Sequence, residues 1–132
     1  YDDALEVLGW LHEKKLALAV VSNSIFPREY HLEDLQNFGL APFFRTTLFS
    51  SEIGRRKPHP EIFYRALSDL SLGPEEVIFV GDRMREDVLG PQKLGIRAVL
   101  KYHPRRDYSL GVKPLATVKS LSELLPLVEK HI

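Results

Sequence analysis

The chain has 132 residues and equal numbers of basic and acidic side chains, 18 of each, so its formal net charge is zero. This length is typical of one globular domain, and a neutral chain has no excess charge with which to attract nucleic acid or an anionic membrane. Cysteine is absent, which excludes disulfides, thiolate metal sites and a cysteine nucleophile. We find no apolar run of transmembrane length and no signal-peptide pattern, and therefore expect a cytoplasmic protein.

The first part of the chain alternates between helical and strand patterns. Residues 3–14 carry leucines at helical spacing, and residues 16–21 (LALAVV) form the continuous apolar run of a strand buried on both faces. Residues 28–38 predict a second helix, which Gly39 ends, and residues 44–50 predict a second strand.

The same alternation continues to the end of the chain. The predicted elements are a helix at 60–70, strands at 77–80 and 96–100 separated by a helix at 85–94, a short strand at 115–118 and a last helix that begins at 120. Gly90 and Pro91 should weaken or kink the helix at 85–94. The spacing of Ser120 and Glu123 predicts a capping box. Residues 102–114 read as a polar loop with two adjacent arginines.

Alternating strands and helices, with strands of the buried type, predict an α/β fold. The expected architecture is a three-layer α/β/α Rossmann-like parallel sheet, and residues 1–132 are expected to form a single domain. In such sheets ligands bind beyond the carboxyl ends of the strands. We therefore looked for reactive side chains at those ends.

The first strand ends at Ser22 and Asn23. A hydroxyl at this position, together with the backbone amides of the following turn, can hold a phosphate oxygen. We take both residues as candidate substrate-binding groups. The alternative is that they serve only the local turn, because serine and asparagine often hydrogen-bond to neighbouring backbone groups.

A single lysine, Lys57, lies between arginines and prolines in the loop before the third helix. Pro58 and Pro60 stiffen the backbone around it, and a fixed ammonium can neutralise a carboxylate and a phosphate that must approach each other. Lys57 is therefore a candidate both for catalysis and for substrate binding, although most such basic loops are simply solvated. His59 is expected to cap the following helix.

Two carboxylates follow the third strand, Asp82 directly after Gly81 and Asp87 five residues later. Oxygen ligands of this kind suit Mg²⁺, which usually takes one or two protein carboxylates together with water and phosphate. We expect Asp82 and Asp87 to bind the metal. The alternative is that both carboxylates only stabilise the start of a helix.

Together these motifs resemble the haloacid dehalogenase-like (HAD-like) hydrolase superfamily. Residues 20–23 (VVSN) are similar to its second motif, residues 56–63 (RKPHPEIF) to its third and residues 81–87 (GDRMRED) to its fourth. The resemblance implies that a catalytic aspartate attacks phosphorus, that Ser22 holds the phosphate and that Lys57 bridges the two. It further implies that Asp87 takes part in catalysis by supporting Lys57 or the metal site. It also implies a Mg²⁺-dependent phosphatase acting on a small phosphorylated metabolite, in preference to a dehalogenase.

The nucleophile's motif, an apolar strand ending in DxDxT, is not found in the 132 residues. In the family this strand is central and lies between the strands that end near Val21 and Val80. Its loss would leave unpaired backbone groups, each costing roughly 1–3 kcal/mol when buried. We expect that the neighbouring strands pair directly, that self-association supplies a strand, or that a longer protein supplies the motif.

Two other functions stay open at this point. Without the nucleophile the chain could be a non-catalytic remnant of the fold that binds phosphate or a partner, and on its own it is predicted to be inactive. A phosphoacceptor signalling domain would share the sheet type, with Asp82 as the residue that takes the phosphate.

Overall fold

A computed structural model describes residues 3–132. The chain divides into two compact units, the first ending at Ser71 and the second running from Leu72 to Ile132. Each unit is described by itself, and a single domain over residues 1–132 stays a prediction. In both units every strand pairing is parallel. Parallel strands with intervening helices give the predicted α/β class.

The first unit contains a two-stranded sheet and four helices. Its elements are α1 (Ala4–Glu13), β1 (Ala19–Ser22), α2 (Arg28–Asn37), β2 (Thr46–Phe49), α3 (Ser50–Ile53) and α4 (Pro60–Leu70), with a 3₁₀ turn at Ala41–Phe43. The single helical turn of α3 was not predicted, since that segment reads as loop. The predicted bounds of α4 are confirmed.

The core of the first unit forms where α4 packs against β1 and β2. Ile62 and Phe63 of α4 are 0% and 1% exposed, because the apolar residues of this helix lie on one face. Pro60 occupies the first turn, where its missing N–H costs nothing, and Ser71 ends the helix in a left-handed conformation. Helix α2, in contrast, buries no residue.

The second unit contains a three-stranded sheet in the order β3-β4-β5. Its elements are a 3₁₀ turn (Pro74–Glu76), β3 (Ile78–Gly81), a π-helical turn (Met84–Leu89), α5 (Gly90–Gln92), β4 (Arg97–Lys101), β5 (Ala116–Val118), a 3₁₀ turn (Leu121–Glu123) and α6 (Leu124–His131). The middle strand, β4, forms the core, and Ala98 and Val99 are 0% exposed.

The segment predicted as one helix at 85–94 is a π-helical turn followed by a single α-helical turn. The cause is Pro91, which has no N–H to donate to the carbonyl of Asp87 and whose ring crowds that carbonyl. The backbone widens as a result, which confirms that Gly90 and Pro91 interrupt the helix. π-Helical turns are frequent at functional sites.

The capping box predicted for Ser120 and Glu123 is wrong. The Ser120 side chain makes no capping hydrogen bond, and the Glu123 carboxylate accepts a hydrogen bond from the backbone N–H of Lys119 instead. A 3₁₀ turn therefore precedes α6, which begins at Leu124.

Among residues 3–132, no helix has the length and apolar character needed to cross a membrane.

Strands β1 and β3 have the apolar sequences of central strands, but each has one hydrogen-bonded neighbour among residues 3–132, β2 and β4 respectively. All residues of both strands are half-buried, whereas β4, with a strand on each side, is largely buried. Direct pairing between β1 and β3, the first of the three expectations for the missing strand, is therefore not found among residues 3–132. Both strands keep an edge that a further strand could pair with.

Candidate functional site

The side chain of Asn23 holds the backbone of Lys57. Its Nδ2 donates to the Lys57 carbonyl at 3.0 Å, and its Oδ1 accepts from the Lys57 N–H at 2.7 Å. Both polar groups of the amide are thus used on one residue that lies 34 positions away along the chain. Asn23 therefore fixes the lysine loop against the end of β1, and its predicted contact with substrate stays a prediction.

Ser22 is the last residue of β1, and its neighbour across the parallel pair is Phe49 of β2. The Ser22 hydroxyl makes one long hydrogen bond, at 3.5 Å, to the Asn23 carbonyl. Because that distance is at the outer limit for a hydrogen bond, this contact fixes the hydroxyl only weakly. An oxygen acceptor on a ligand could replace the Asn23 carbonyl as the partner of the hydroxyl at little cost in free energy.

The turn after Ser22 is tied to the end of β2 through Ser24 and Ser50. The Ser24 N–H donates to the Ser50 hydroxyl at 2.8 Å, and that hydroxyl donates to the Ser24 carbonyl at 3.0 Å. The Ser24 hydroxyl also contacts the ring of His31. These bonds fix the backbone amides that follow β1.

Lys57 is half-buried, and its peptide bond to Pro58 is cis. The expectation that His59 caps the next helix is confirmed, since its Nδ1 accepts a hydrogen bond from the Glu61 N–H at 3.1 Å. The loop around Lys57 is therefore held at both ends, by Asn23 on one side and by the start of α4 on the other.

Asp87 is buried, at 3% exposed, and lies directly against Gly81 at the end of β3. A Cβ atom at position 81 would overlap the Asp87 side chain, so only glycine leaves space for this carboxylate. Asp87 Oδ2 also accepts a hydrogen bond from the Arg83 N–H at 3.1 Å. The carboxylate is thereby fixed at the carboxyl end of the strand.

Asp82 follows β3 and contacts the loop after β4. The sequence gives no indication that this loop belongs to the site. Arg106 Nε lies 3.3 Å from Asp82 Oδ2, and the Tyr108 hydroxyl donates to the Asp82 carbonyl at 3.2 Å. Tyr108 also packs against the core cluster that contains Met84 and Leu100. No sequence pattern predicts these contacts, because they join residues more than 20 positions apart.

Asp82 and Asp87, the two predicted metal ligands, both lie at the carboxyl end of β3. Residues 3–132 contain no cluster of three or more His, Asp, Cys or Glu side chains that could hold a metal ion. The carboxylates of Asp82 and Asp87 are nevertheless hard oxygen donors of the kind that Mg²⁺ prefers, and Mg²⁺ normally takes few protein ligands. The donor set therefore fits a magnesium ion whose other ligands are water and phosphate.

The sequence model of the haloacid dehalogenase-like hydrolases matches residues 1–101, which is most of the chain. The chain belongs to the haloacid dehalogenase-like hydrolase family. The predicted resemblance is thereby confirmed. The assignment of Ser22, Lys57, Asp82 and Asp87 to the motifs of this HAD-like family stays a prediction.

Several curated relatives of this HAD-like chain are phosphatases. It is 34% identical to the pyrophosphatase PpaX of Halalkalibacterium halodurans over 130 residues, which are 97% of this chain and 59% of the relative. It is 34% identical to a glyceraldehyde 3-phosphate phosphatase of Methanopyrus kandleri over 99 residues, 75% of this chain and 42% of that protein. The chain thus spans about half the length of these relatives.

Solved structures confirm the three-layer Rossmann-like fold. A HAD phosphatase from Thermococcus onnurineus matches with a TM-score of 0.85 and 26% identity, over 97% of this chain and 57% of that one. A 2-haloacid dehalogenase from Pseudomonas syringae matches with a TM-score of 0.84 and 25% identity, over 98% of this chain and 53% of the other. The fold is therefore shared by phosphatases and dehalogenases.

Proposed function

We propose that this chain is the larger part of a Mg²⁺-dependent phosphatase that acts on a small phosphorylated metabolite. The observation that carries the proposal is the turn after β3, where Asp82 is followed by Asp87 packed on Gly81. A dehalogenase needs no metal carboxylates, so this acidic pair favours phosphoryl chemistry over carbon–halogen chemistry. The phosphatase names of the curated relatives support the same choice.

In this proposal the residues divide the work by their chemistry. The Ser22 hydroxyl binds a phosphate oxygen, and the Lys57 ammonium balances the charge of the phosphoryl group and of the attacking carboxylate. Asn23 orients Lys57 through its backbone. Asp82 and Asp87 would hold Mg²⁺, which supplies charge neutralisation and a fixed orientation for the phosphoryl group when it is bound.

The nucleophile is assigned to an aspartate outside these 132 residues. It would attack phosphorus, the alcohol of the substrate would leave, and water would then hydrolyse the aspartyl-phosphate. The half-buried β1 and β3, each with an edge free of further strands among residues 3–132, support the addition of a central strand. We place this reaction in the cytoplasm, in keeping with the absence of cysteine.

The second candidate is a non-catalytic module that binds phosphate or a partner, and the absence of a DxDxT motif favours it. In that case self-association would be the source of the strand that covers the edges of β1 and β3. Size-exclusion chromatography with light scattering would then give a dimer, whereas a monomer would contradict strand exchange between copies.

The test compares two proteins in one assay with p-nitrophenyl phosphate and Mg²⁺. The first is the 132-residue chain, and the second, here called the extended protein, adds the native sequence immediately upstream of Tyr1. We expect turnover by the extended protein and none by the 132-residue chain. A folded extended protein without metal-dependent turnover would contradict the proposal and favour the binding module.

A further inference from the structure

A cleft of about 380 Å³ opens in the second unit. Two segments line it, residues 83–86 at the start of the π-helical turn, with Arg83 just before it, and residues from 105–110 of the loop after β4. Met84, a buried residue of the core, contributes an apolar contact surface. The volume is close to the lower limit of small-molecule sites, so the cleft could take part of a small metabolite.

The side chains of the cleft carry an excess of positive charge. Four arginines line it, against the two carboxylates Glu86 and Asp107, which leaves a formal charge of +2 in a chain whose total is zero. Asp107 is partly used within its own loop, because its Oδ1 accepts a hydrogen bond from the Ser109 N–H at 2.9 Å. Guanidinium groups bind carboxylates and phosphates through two parallel hydrogen bonds, so an anion is the expected ligand.

Arg106 connects this cleft to the candidate metal ligand. Its side chain lines the cleft, and its Nε lies 3.3 Å from Asp82 Oδ2. The side chains of Arg106 and Asp82 are 34% and 21% exposed, and an ion pair with this much access to water is worth little. A divalent cation at Asp82 would repel the guanidinium, whose donors could then bind an anion in the cleft.

We propose that the cleft binds a second anionic group, a carboxylate or a phosphate, on the substrate whose phosphoryl group reacts beside Asp82. Arg83 and Arg105 determine specificity for that group, and Arg106 links its binding to that of the cation. This inference rests on the proposed phosphatase function and narrows the substrate class. The preferred substrates are phosphate monoesters with a second negative charge a few bonds from phosphorus.

The test uses two ligands of similar size, phosphoglycolate, which carries a carboxylate, and 2-hydroxyethyl phosphate, which does not. Isothermal titration calorimetry of the 132-residue chain with Mg²⁺ gives both dissociation constants. We expect phosphoglycolate to bind at least about tenfold more tightly, the effect of one charge-assisted pair. In the Arg83→Gln/Arg105→Gln double variant the two affinities should become similar.

Lys93→Gln is the matched control, because it removes a positive charge from an exposed residue of the same unit that does not line the cleft. It should keep the preference for phosphoglycolate. Equal affinities in the unmodified chain, or a preference that survives the double variant, would overturn the cleft assignment. Absence of binding by either ligand would overturn both the cleft and the phosphate site.

Lys57→Gln separates the cleft from the function on which it rests. This substitution should lower the affinities for phosphoglycolate and for 2-hydroxyethyl phosphate by the same factor, because both ligands carry the phosphoryl group. If Lys57→Gln leaves both affinities unchanged while the arginine variant still removes the preference, the phosphatase assignment fails and the anion cleft remains. Urea unfolding of each variant verifies that the fold is kept.

The role of Arg106 is tested separately, by measuring the affinity for Mg²⁺ without any phosphate ligand. Because Arg106 competes with the cation for Asp82, Arg106→Gln should tighten Mg²⁺ binding about two- to fivefold. It should also remove most of the extra increase in Mg²⁺ affinity that phosphoglycolate causes beyond that caused by 2-hydroxyethyl phosphate in the unmodified chain. Weaker Mg²⁺ binding, or an unchanged extra increase with phosphoglycolate, would contradict the role given to Arg106.

Discussion

Asn23 uses both polar atoms of its side chain to hold the backbone N–H and carbonyl of Lys57. The end of β1 and the lysine loop are therefore one hydrogen-bonded structure, although the two residues lie 34 positions apart. The position of the ammonium then depends on an asparagine as well as on the neighbouring prolines.

Asn23→Ala removes both hydrogen bonds and leaves the two backbone groups of Lys57 without their partner. We expect the free energy of unfolding of the 132-residue chain to fall by about 1–3 kcal/mol in urea titrations. Turnover by the extended protein should fall on the order of 100-fold, since the misplaced ammonium no longer supports phosphate binding and the chemical step in the right geometry. Asn37→Ala, at an exposed position near the end of α2, is the control. Equal effects of the two substitutions would contradict a positioning role for Asn23.

Gly81→Ala tests the close packing of Asp87 on the end of β3. The added methyl group overlaps the buried carboxylate, so we expect a loss of about 1–3 kcal/mol in stability together with weaker Mg²⁺ binding. Gly9→Ala is the matched control, because a methyl group there meets no atom within 4 Å and lies inside α1. It should raise stability by about 0.5–1 kcal/mol. A stable Gly81→Ala variant with unchanged Mg²⁺ affinity would show that the carboxylate is not fixed in this way.

Lys57→Ala and Asp82→Asn should affect turnover in different ways. Loss of the ammonium should lower kcat of the extended protein at least about 100-fold at every Mg²⁺ concentration, because charge stabilisation in the transition state is lost. Asp82→Asn should raise the Mg²⁺ concentration needed for half-activity at least about tenfold. Glu129→Gln, an exposed carboxylate of α6, should change neither quantity. Activity equal to that of the unmodified protein in either of the first two variants would refute that residue's role.

The pKa of the Asp107 carboxyl group depends on its contact with Ser109. Hydrogen bonds from the Ser109 side chain and backbone lower the pKa of Asp107 below its ordinary value of 3.8. Because the folded-state pKa is the lower one, any stability from this contact is present above the ordinary value and is lost as pH falls through the lowered one. Ser109→Ala should raise the Asp107 pKa part of the way back, since the backbone N–H remains. Carboxyl NMR titration measures this, and an unchanged pKa would contradict the contribution of the hydroxyl.

Local patterns in the sequence predicted the regular elements well. The bounds of α4 follow from Pro60 and from a one-sided apolar face, both of which are local. The π-helical turn at Met84–Leu89 could be predicted only as an interruption, since Pro91 shows that an α-helix must break but not which hydrogen bonds replace it. The one-turn helix α3 is too short for periodicity to reveal.

The candidate site could be predicted only as a set of positions. Gly81, Asp82 and Asp87 form a motif that is local in the sequence. The structure packs the Asp87 side chain directly on Gly81, where a larger residue would not fit. The contact between Arg106 and Asp82 joins distant positions and depends on how Tyr108 folds the loop back onto the second unit. No periodicity or spacing encodes such a contact, which is why the loop at 102–114 reads as featureless in the sequence.

The most direct test is a crystal structure of the extended protein with MgCl₂ and orthovanadate, an analogue of the phosphoryl group. We expect vanadate oxygens within hydrogen-bond distance of Ser22 Oγ and Lys57 Nζ, with Mg²⁺ bound by Asp82 directly at about 2.0–2.1 Å or through a water molecule. Vanadate bound away from Ser22 and Lys57, or Mg²⁺ held without Asp82, would contradict the proposed site.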